Sequence, residues 1–466
     1  MPKTQEEKEI RKKILGMILP ITGENLLQMS AAFITMAMIG RLEPHMIGAV
    51  GIGLRVFKIV WALLRGVITG TTVFVAQAYG AEDYGKLKLV VIRSFFSILL
   101  ITVILQQLIF WNVESLMKFF GASGALLEEG IPYLQILTIG IPFLGIMLVV
   151  AGVLQGMGNA KTPMKVAAIM NVINVAVSYL LIFGMGPIQG QGVIGAAWGM
   201  IIAQTVAGFL GIYILFNKDG ILRGTVSKAL FSMKLPDIWP IYRVGLPTAM
   251  ESVFWQLSSV ILTIVILSYG DLAFASYQLG LQAEAISYMP AMGLGVAATA
   301  FVGQALGAKD PELARKYLRE IIKGGILITG ISSCILIFLP HQVMRLLTPD
   351  HQVIETAVWY LIFMGLVQLP QNLAMILNGA LRGAGHSRVP MIVAGFGIWG
   401  VRVPLALISA FLFKMPLMYI WLAISLDLIL RFILSLVLYK RKNIYQGKTL
   451  IEQTPIVKEK PEPSAS

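Results

Sequence analysis

Long apolar segments alternate with short polar segments along most of the chain. Each apolar segment holds the roughly 20 residues that a membrane-spanning helix needs. Open sheet edges and irregular backbone cannot face lipid, because their N–H and C=O groups would lack hydrogen-bond partners. The pattern therefore predicts an all-α integral membrane protein. Its twelve transmembrane helices are predicted at residues 14–40, 46–79, 88–111, 129–156, 163–186, 191–216, 241–267, 273–306, 316–339, 354–381, 390–413 and 416–439.

Composition supports a membrane protein. Of the 466 residues, 57% are hydrophobic and 13% are charged, and the mean hydropathy is +0.78. Soluble domains are roughly 25% charged, so the composition argues against a soluble fold. The one cysteine, Cys334, excludes a disulfide framework and a cysteine metal site. The four histidines fall in loops or at span ends without ligand spacing, so we expect no metal and no cofactor.

Basic residues are distributed unevenly between alternate loops. With the N-terminus inside, 24 Lys and Arg residues fall in the inner segments and four in the outer ones. Because basic residues near span ends are retained on the cytoplasmic side, we expect a multi-pass protein of the plasma membrane with both termini in the cytoplasm. The net charge of +13 then follows from topology and from attraction to anionic lipid headgroups, and nucleic-acid binding is not expected.

The chain contains an internal repeat with a constant offset of 227 residues. The offset pairs Pro20 with Pro247, Glu24 with Glu251, Gly66 with Gly293, Gln77 with Gln304, Gly80 with Gly307 and Gly156 with Gly383. Since each half has six spans, both halves enter the membrane from the same side and are related by an axis along the membrane normal. We expect two pseudo-symmetric six-helix lobes that rock around a central cavity, as in secondary active transporters.

These features divide the chain into five segments. The N-terminal lobe (spans 1–6) covers residues 14–216, and the C-terminal lobe (spans 7–12) covers residues 241–440. Residues 1–13 are predicted to be a cytoplasmic leader, and the polar residues 217–240 a cytoplasmic linker. The tail, 441–466, has too few apolar residues to bury and is predicted to be disordered.

Two pairs of repeated strings carry a family resemblance, VAQAYGAED with VGQALGAKD and LQGMGNAKTP with LRGAGHSRVP. With MIGRL in span 1 and NVINVAVSYLLIFG in span 5, they resemble the multidrug and toxic compound extrusion family, the MATE transporters. PTAMES and AISYMPAMGLGVAATAFVGQALGA are most similar to the branch that includes the DinF proteins. The resemblance covers roughly residues 14–440. It implies a cation-coupled antiporter, driven by protons or sodium, that exports small amphipathic compounds or drugs. We expect a monomer surrounded by membrane lipid.

The chain departs from the family pattern at three positions where several members keep coupling acids. Thr35 replaces an aspartate of span 1, Ser178 replaces an aspartate of span 5, and Gln371 replaces an acid of span 10. The coupling roles that the resemblance implies for those acids therefore do not carry over to this chain.

Four acidic residues remain inside the predicted spans: Glu24, Glu251, Glu284 and Asp427. Ionisable residues at membrane depth are costly and usually face a bundle interior or water. A desolvated carboxylate can also hold a proton near neutral pH. We therefore take these four, with Glu251 first, as candidates for binding the coupling cation. The alternative is a structural ion pair or helix-end hydrogen bond, and Arg431, one turn after Asp427, favours an intrahelical ion pair there.

Span 2 carries a basic stripe, because Arg55, Lys58 and Arg65 fall within one sector of roughly 80°. The stripe and Arg402 of span 11 are predicted to line the cavity, unless they pair with Glu24 or Glu284. Excess positive charge in a partly desolvated cavity repels cations, so the sequence predicts neutral, zwitterionic or anionic amphiphiles as substrates. The other predicted cavity residues are Gln28, Thr35, Asn171, Asn174, Ser178, Trp255, Gln282 and Gln371.

Two other function classes compete with an exporter. A flippase for lipid-linked or anionic amphiphilic precursors is the alternative function, because related two-lobed folds move such lipids and a basic cavity would favour them. An intramembrane enzyme would need a metal or an acid cluster. The sequence has no acidic pair spaced for magnesium-diphosphate and no HExxH motif, so we expect no enzymatic activity.

Overall fold

The computed structural model describes residues 5–41, 44–185, 187–217, 220–223, 235–446 and 449–453, most of which are helical. The first half contains α1 (Gln5–Ile39), α2 (Pro44–Gly80), α3 (Tyr84–Trp111), α4 (Val113–Phe119), α5 (Ala125–Thr138), α6 (Ile141–Gly156), α7 (Lys161–Phe183) and α8 (Val193–Phe216). The second half contains α9 (Leu235–Leu267), α10 (Asp271–Gly307), α11 (Pro311–Phe338), α12 (Pro340–Arg345), α13 (His351–Gly383), α14 (Arg388–Gly397), α15 (Val403–Leu407), α16 (Met418–Lys442) and α17 (Leu450–Gln453). Two π-helical turns, Ile398–Arg402 and Ile408–Leu412, flank α15. Between α7 and α8, β1 (Gly184–Met185) pairs antiparallel with β2 (Ile188–Gln189).

The described helices account for the twelve predicted spans. Ten are long and apolar enough to cross a membrane, and α5 with α6, bent by 41° at their break, forms an eleventh. The helix α1 is 35 residues long, but Thr22, Glu24 and Gln28 interrupt its apolar sequence. At 1.5 Å per residue it measures about 50 Å, which exceeds a hydrocarbon core of about 30 Å. It supplies the twelfth span, and the all-α fold is confirmed.

Two spans are interrupted near prolines. Pro142 stands at the start of α6. The N–H groups of a first turn have no acceptor within the helix, so proline costs no hydrogen bond there. The chain bends between α5 and α6. In the eleventh span the π-helical turn Ile398–Arg402 is followed at once by Pro404 in the first turn of α15. Such π-helical turns are frequent at functional sites. This one ends at Arg402, whose side chain contributes to the site described below.

The two lobes exchange the beginnings of their first helices. The start of α1 packs through Ile14, Met17 and Ile18 into the core around α10 and α11. The start of α9 packs through Ile241 and Val244 into the core that contains α2 and α3. Because the 227-residue offset relates α1 to α9, the exchange is symmetric, and each lobe holds the other near one end.

The segment predicted as a leader is part of this exchange. From Gln5 onwards it forms the first turns of α1. Arg11 Nε lies 2.6 Å from Glu320 Oε2, and Lys316 Nζ lies 2.7 Å from Glu6 Oε1. These two ion pairs fasten α1 to α11, so residues 5–13 belong to the packed structure.

At the end that carries both termini, a reciprocal pair of hydrogen bonds joins the lobes. Gln77 Nε2 of α2 donates to Gly383 O of α13 at 2.9 Å. Gln304 Nε2 of α10 donates to Gly156 O of α6 at 2.8 Å. The repeat offset converts each bond into the other, because it relates Gln77 to Gln304 and Gly156 to Gly383. We call these four residues the glutamine gate.

Glycine allows the backbones to approach each other at the gate. A Cβ on Gly80 would overlap the backbone carbonyl of Gln304, and a Cβ on Gly307 would overlap that of Gln77. Both contacts cross from one lobe to the other. Any larger residue at either glycine would hold the lobes apart at this end.

The C-terminal segment covers the glutamine gate. In α17 the Leu450 backbone N–H donates to Gln77 Oε1 at 2.9 Å, and Glu452 Oε1 lies 2.8 Å from Lys309 Nζ. Ile451 is buried. The predicted disorder therefore does not hold for residues 441–446 and 449–453, because a few apolar side chains and one ion pair dock them. Residues 454–466 lie outside the described residues.

The linker between the lobes is shorter than predicted. The helix α9 begins at Leu235, so the last six residues of the predicted linker, 235–240, are helical. Residues 220–223 form turns. Residues 218–219 and 224–234 lie outside the part of the chain that the structure describes.

Candidate functional site

A cavity of about 360 Å³ lies between the two lobes, beside the middle of α1, α2, α9 and α10. The glutamine gate separates it from the end that carries the termini. Charged and aromatic side chains of both lobes line the cavity, namely Glu24, Arg65, Glu251, Arg382, Arg431, Trp61, Trp255 and Tyr288.

Glu251 of α9 forms an ion pair with Arg382 of α13 on the cavity wall. Arg382 Nη2 lies 2.5 Å from Glu251 Oε2, and the two side chains are 17% and 14% exposed. Both remain within reach of water in the cavity. The pair therefore places one negative and one positive group in direct contact at the cavity.

Glu24 of α1 and Arg65 of α2 face the cavity without direct neutralisation. Gln28 Nε2 lies 3.4 Å from Glu24 Oε1, and Glu24 Oε2 is buried without a hydrogen bond. The guanidinium of Arg65 lies over the ring of Trp61 at 4.8 Å, a cation–π contact. The two charges attract each other, but among the described residues neither has an ion-pair partner within 4 Å.

Trp255 of α9 is covered by two guanidinium groups. The Cζ atoms of Arg402 and Arg431 lie 4.7 and 4.5 Å from its ring centre. Asp427 Oδ2 lies 2.7 Å from Arg402 Nε and 2.8 Å from Arg431 Nη2, and Asp427 is fully buried. The expected ion pair between Asp427 and Arg431 is therefore present. Because one carboxylate serves two arginines, the cluster carries a net positive charge beside the cavity.

Glu284 of α10 lies behind the cavity wall in a network of neutral groups. Tyr360 Oη donates to Glu284 Oε2 at 2.6 Å, and Gln368 Nε2 donates to Glu284 Oε1 at 3.0 Å. Tyr360 in turn packs edge-on against Trp421 at 4.9 Å. The carboxyl group is thus buried and hydrogen-bonded, but it does not line the cavity.

Comparison with known proteins places this architecture in a family. The family model described as MatE matches residues 20–180 and 247–408. The chain belongs to the MATE family. Its two matched stretches begin 227 residues apart, in agreement with the internal repeat. As a MATE family member, the chain is a membrane transporter and not an enzyme.

Relatives of this MATE transporter span nearly its whole length. The probable multidrug resistance protein NorM of Thermotoga maritima is 31% identical over 442 residues, which is 94% of each chain. The multidrug resistance protein PmpM of Pseudomonas aeruginosa is 28% identical over 84% of this chain and 82% of its own. A solved transporter of the MOP superfamily from Pyrococcus furiosus, with a binding pocket of reverse polarity, has a TM-score of 0.85 at 22% identity. It covers 96% of this chain and 100% of its own.

Five of the residues predicted for the site lie on the cavity wall. Glu24, Arg65, Glu251, Trp255 and Gln371 line it. Gln28 lines a side pocket of about 30 Å³ that Glu24 and Arg65 share. Arg402 does not line the cavity, but its Cζ lies 4.7 Å from the ring centre of Trp255, which does.

The remaining predicted cavity residues do not line the cavity. Arg55, Lys58 and Gln282 are exposed elsewhere on the helices. Arg55 precedes Arg65 by ten residues, about 15 Å along a helix. The basic side chains of the stripe therefore point in a similar direction from α2, but only Arg65 lies at the same depth in the membrane as the cavity.

The polar residues of α7 point into the N-terminal lobe. Asn171, Asn174 and Ser178 are buried, and Ser178 Oγ donates to Asn174 Oδ1 at 3.1 Å. Thr35 of α1 has a buried hydroxyl without a hydrogen bond and is absent from the cavity wall. These residues are part of the helix packing of the N-terminal lobe.

Sequence reasoning missed several cavity residues. Arg382 lies just after the predicted span 354–381, but α13 continues to Gly383 and its last turn brings Arg382 to Glu251. Trp61 and Tyr288 were not singled out, although the repeat offset pairs them as aromatic residues at the same position of each lobe. The repeat was thus a signal that could have found both aromatic residues.

Proposed function

We propose that this MATE transporter is a secondary active exporter of small amphipathic compounds, driven by the entry of protons or sodium ions. The observation that carries the proposal is the cavity. It lies between two pseudo-symmetric lobes, receives a carboxylate from the same repeat position of each lobe, and is closed at one end by the glutamine gate. Rocking of such lobes exposes a central site alternately to the two sides of a membrane.

Glu251 and Glu24 are the foremost candidates for coupling, because both face the cavity where substrate and cation compete. Glu251 exchanges Arg382 for the cation, whereas Glu24 has a free oxygen. Glu284 is a further candidate, since its hydrogen-bond partners are neutral and it lies one layer behind the wall. Asp427 is the weakest, because two arginines already hold it.

The basic residues of the loops support a cytoplasmic location for both termini. On that orientation the glutamine gate is the cytoplasmic gate, and the described conformation faces outward. We infer a plasma-membrane protein that works as a monomer. The names of the relatives, multidrug resistance proteins, favour drug efflux over the flippase alternative.

Transport in proteoliposomes tests the proposal. A fluorescent amphiphile is followed while a proton gradient and a sodium gradient are imposed separately. Uphill movement under one gradient, abolished when that gradient is collapsed, is the expected result. Equal downhill leakage with either gradient, at the rate of protein-free vesicles, would contradict secondary active transport.

A further inference from the structure

The two walls of the cavity differ although the repeat makes their positions equivalent. The offset of 227 residues relates Glu24 to Glu251, Trp61 to Tyr288, Gln155 to Arg382 and Arg65 to Met292, and all eight side chains line the cavity. The acid and the aromatic residue are therefore present in both lobes. The basic residue stands at a different repeat position in each lobe, Arg65 in the N-terminal lobe and Arg382 in the C-terminal lobe. Only Arg382 is in direct contact with the acid of its own lobe.

The charged side chains of the C-terminal wall are held in ion pairs with residues of the same lobe. Arg382 lies at 2.5 Å from Glu251, and Met292 is apolar at the position equivalent to Arg65. Arg431, the other cavity cation of this lobe, is held by Asp427 at 2.8 Å. Each charge on this wall has an opposite charge in direct contact.

The N-terminal wall leaves one positive and one negative group available. The position equivalent to Arg382 is Gln155, which cannot neutralise Glu24. Arg65 makes no hydrogen bond or ion pair through its guanidinium with any described residue, and Glu24 Oε2 is buried without a partner. Trp61 supports the flat face of the guanidinium at 4.8 Å, so the N–H edge remains free to bind two oxygen atoms side by side.

We propose that Glu24 and Arg65 together form a headgroup subsite for a zwitterionic amphiphile. The carboxylate or phosphate of the substrate would bind the N–H edge of Arg65, and its ammonium group would bind Glu24. The apolar body would extend toward Met292, Tyr288 and Trp255 on the opposite wall, where each charged side chain is held in an ion pair. The inference rests on the proposed export function and names the substrate class that the same cavity takes.

A zwitterion fits this wall better than either single charge does. An anion alone would leave Glu24 uncompensated beside it, and a cation alone would leave Arg65 uncompensated. Unpaired charges in a partly desolvated site are costly. The charged and titratable groups that act on this pair are each other and Tyr288. A proton on Glu24 removes the charge that holds the ammonium group, so this carboxylate can exchange substrate for cation.

Binding of three matched probes to the purified transporter in detergent tests the proposal. The first probe is an environment-sensitive fluorophore on an alkyl chain that ends in a free α-amino acid. Its methyl ester is the cation of the same shape, and its N-acetyl derivative is the anion. We expect the zwitterion to bind about tenfold or more tightly than either derivative, because each derivative loses one charge-assisted hydrogen bond.

Substitutions assign that preference to the two side chains. Arg65→Gln should remove the preference over the methyl ester, and Glu24→Gln should remove the preference over the N-acetyl derivative. Arg65→Lys, which keeps the charge but loses the planar fork, should retain part of the preference over the methyl ester. Lys58→Gln removes a basic residue of α2 that lies outside the cavity and should leave all three affinities unchanged.

The two proposals can fail separately. Equal affinity for the zwitterion and its methyl ester, unaltered by Arg65→Gln, would overturn the headgroup subsite even if a gradient drives transport of another amphiphile. A zwitterion preference that follows Arg65 and Glu24, together with no gradient-driven movement of any probe, would overturn the export function and leave the subsite standing.

Discussion

Variants of the ion pair between Glu251 and Arg382 distinguish a structural role of Glu251 from a role in binding the coupling cation. The perturbation is a set of three variants: Glu251→Gln, Arg382→Gln and the double substitution. Each single change leaves one charge without its partner at a position where the side chains are only 14% and 17% exposed. Glutamine has nearly the size of glutamate, so Glu251→Gln mainly removes the negative charge.

The size of the structural effect follows from the contact. A hydrogen bond to a charged group contributes about 1.5–3 kcal/mol, and removing one partner of a fully buried pair costs about 3–5 kcal/mol. Because both side chains touch a wet cavity, we expect about 2 kcal/mol for each single variant. The double variant should lose clearly less than the sum of the two, since it leaves neither charge unpaired.

Two measurements on the same variants distinguish the roles. The free energy of unfolding, from titration with a denaturing detergent, should fall similarly for both single variants. Gradient-driven transport in proteoliposomes should be abolished by Glu251→Gln, which cannot bind a proton, and should persist at a reduced rate in Arg382→Gln. Probe binding to Glu251→Gln should remain measurable, because the cavity keeps its shape.

Full active transport by Glu251→Gln would refute the reasoning and move the coupling role to Glu24 or Glu284. Equal loss of transport in both single variants, in proportion to their loss of stability, would show that the pair is purely structural.

Three further predictions concern the gate, the tail and the topology, all in a background where the exposed Cys334 is replaced by alanine. Replacing Gln77 and Gln304 by alanine should increase labelling of a cysteine at Thr299 from the gate side, because two hydrogen bonds of about 1 kcal/mol each are lost. The control is Gln352→Ala, on an exposed face. Unchanged labelling of the double alanine variant would contradict a role for the gate. Tail docking should be present at neutral pH and lost in acid. Lys309 lowers the pKa of Glu452 from 4.5 by its hydrogen bond and charge, with help from the Thr449 backbone, so the stabilisation is present above pH 4.5 and disappears as the pH falls through the lowered value. The pKa of Lys309 is raised, so Lys309 stays charged in that range. Protease cleavage of the tail, followed as the pH is lowered from neutral to below 4.5, measures the docking. A cleavage rate that does not rise over this titration would count against the prediction. A cysteine at Gln5 should react with an impermeant reagent only from the cytoplasm and one at Gln189 only from outside, and the opposite pattern in intact cells would reverse the orientation.

The twelve spans and the repeat could be predicted because both are properties of the sequence alone. Apolar length identifies a membrane helix, and the constant offset identifies two equivalent lobes. The sequence did not predict the bend between α5 and α6 or the π-helical turns in the eleventh span. Hydrophobicity shows that a segment can cross a membrane, but it does not show whether the helical hydrogen bonds are regular or interrupted. The docked tail was missed for a related reason: Leu450 and Ile451 are too few apolar residues to predict burial without knowing the surface they meet.

The site was predictable in part. Depth and charge singled out Glu24, Glu251 and Arg65, which line the cavity, because a charge at mid-membrane needs water or a partner. The same rule could not choose the partner. Arg382 lies 131 positions from Glu251 along the chain, and only the tertiary structure, in which α9 and α13 both border the cavity, brings them together. Arg55 and Lys58 lie outside the cavity wall, because they share the helical direction of Arg65 but not its depth.

The reciprocal glutamine bonds also set an energy scale for transport. Two hydrogen bonds between the lobes amount to about 1–3 kcal/mol, whereas one elementary charge crossing a membrane potential of 100 mV releases about 2.3 kcal/mol. Since the two bonds are symmetry mates, a rocking motion stretches both at once and neither can hold alone. The free energy of the two hydrogen bonds is therefore comparable to the free energy released when one ion enters. It is large enough to favour the conformation with a closed gate, and small enough for one ion to reverse that preference.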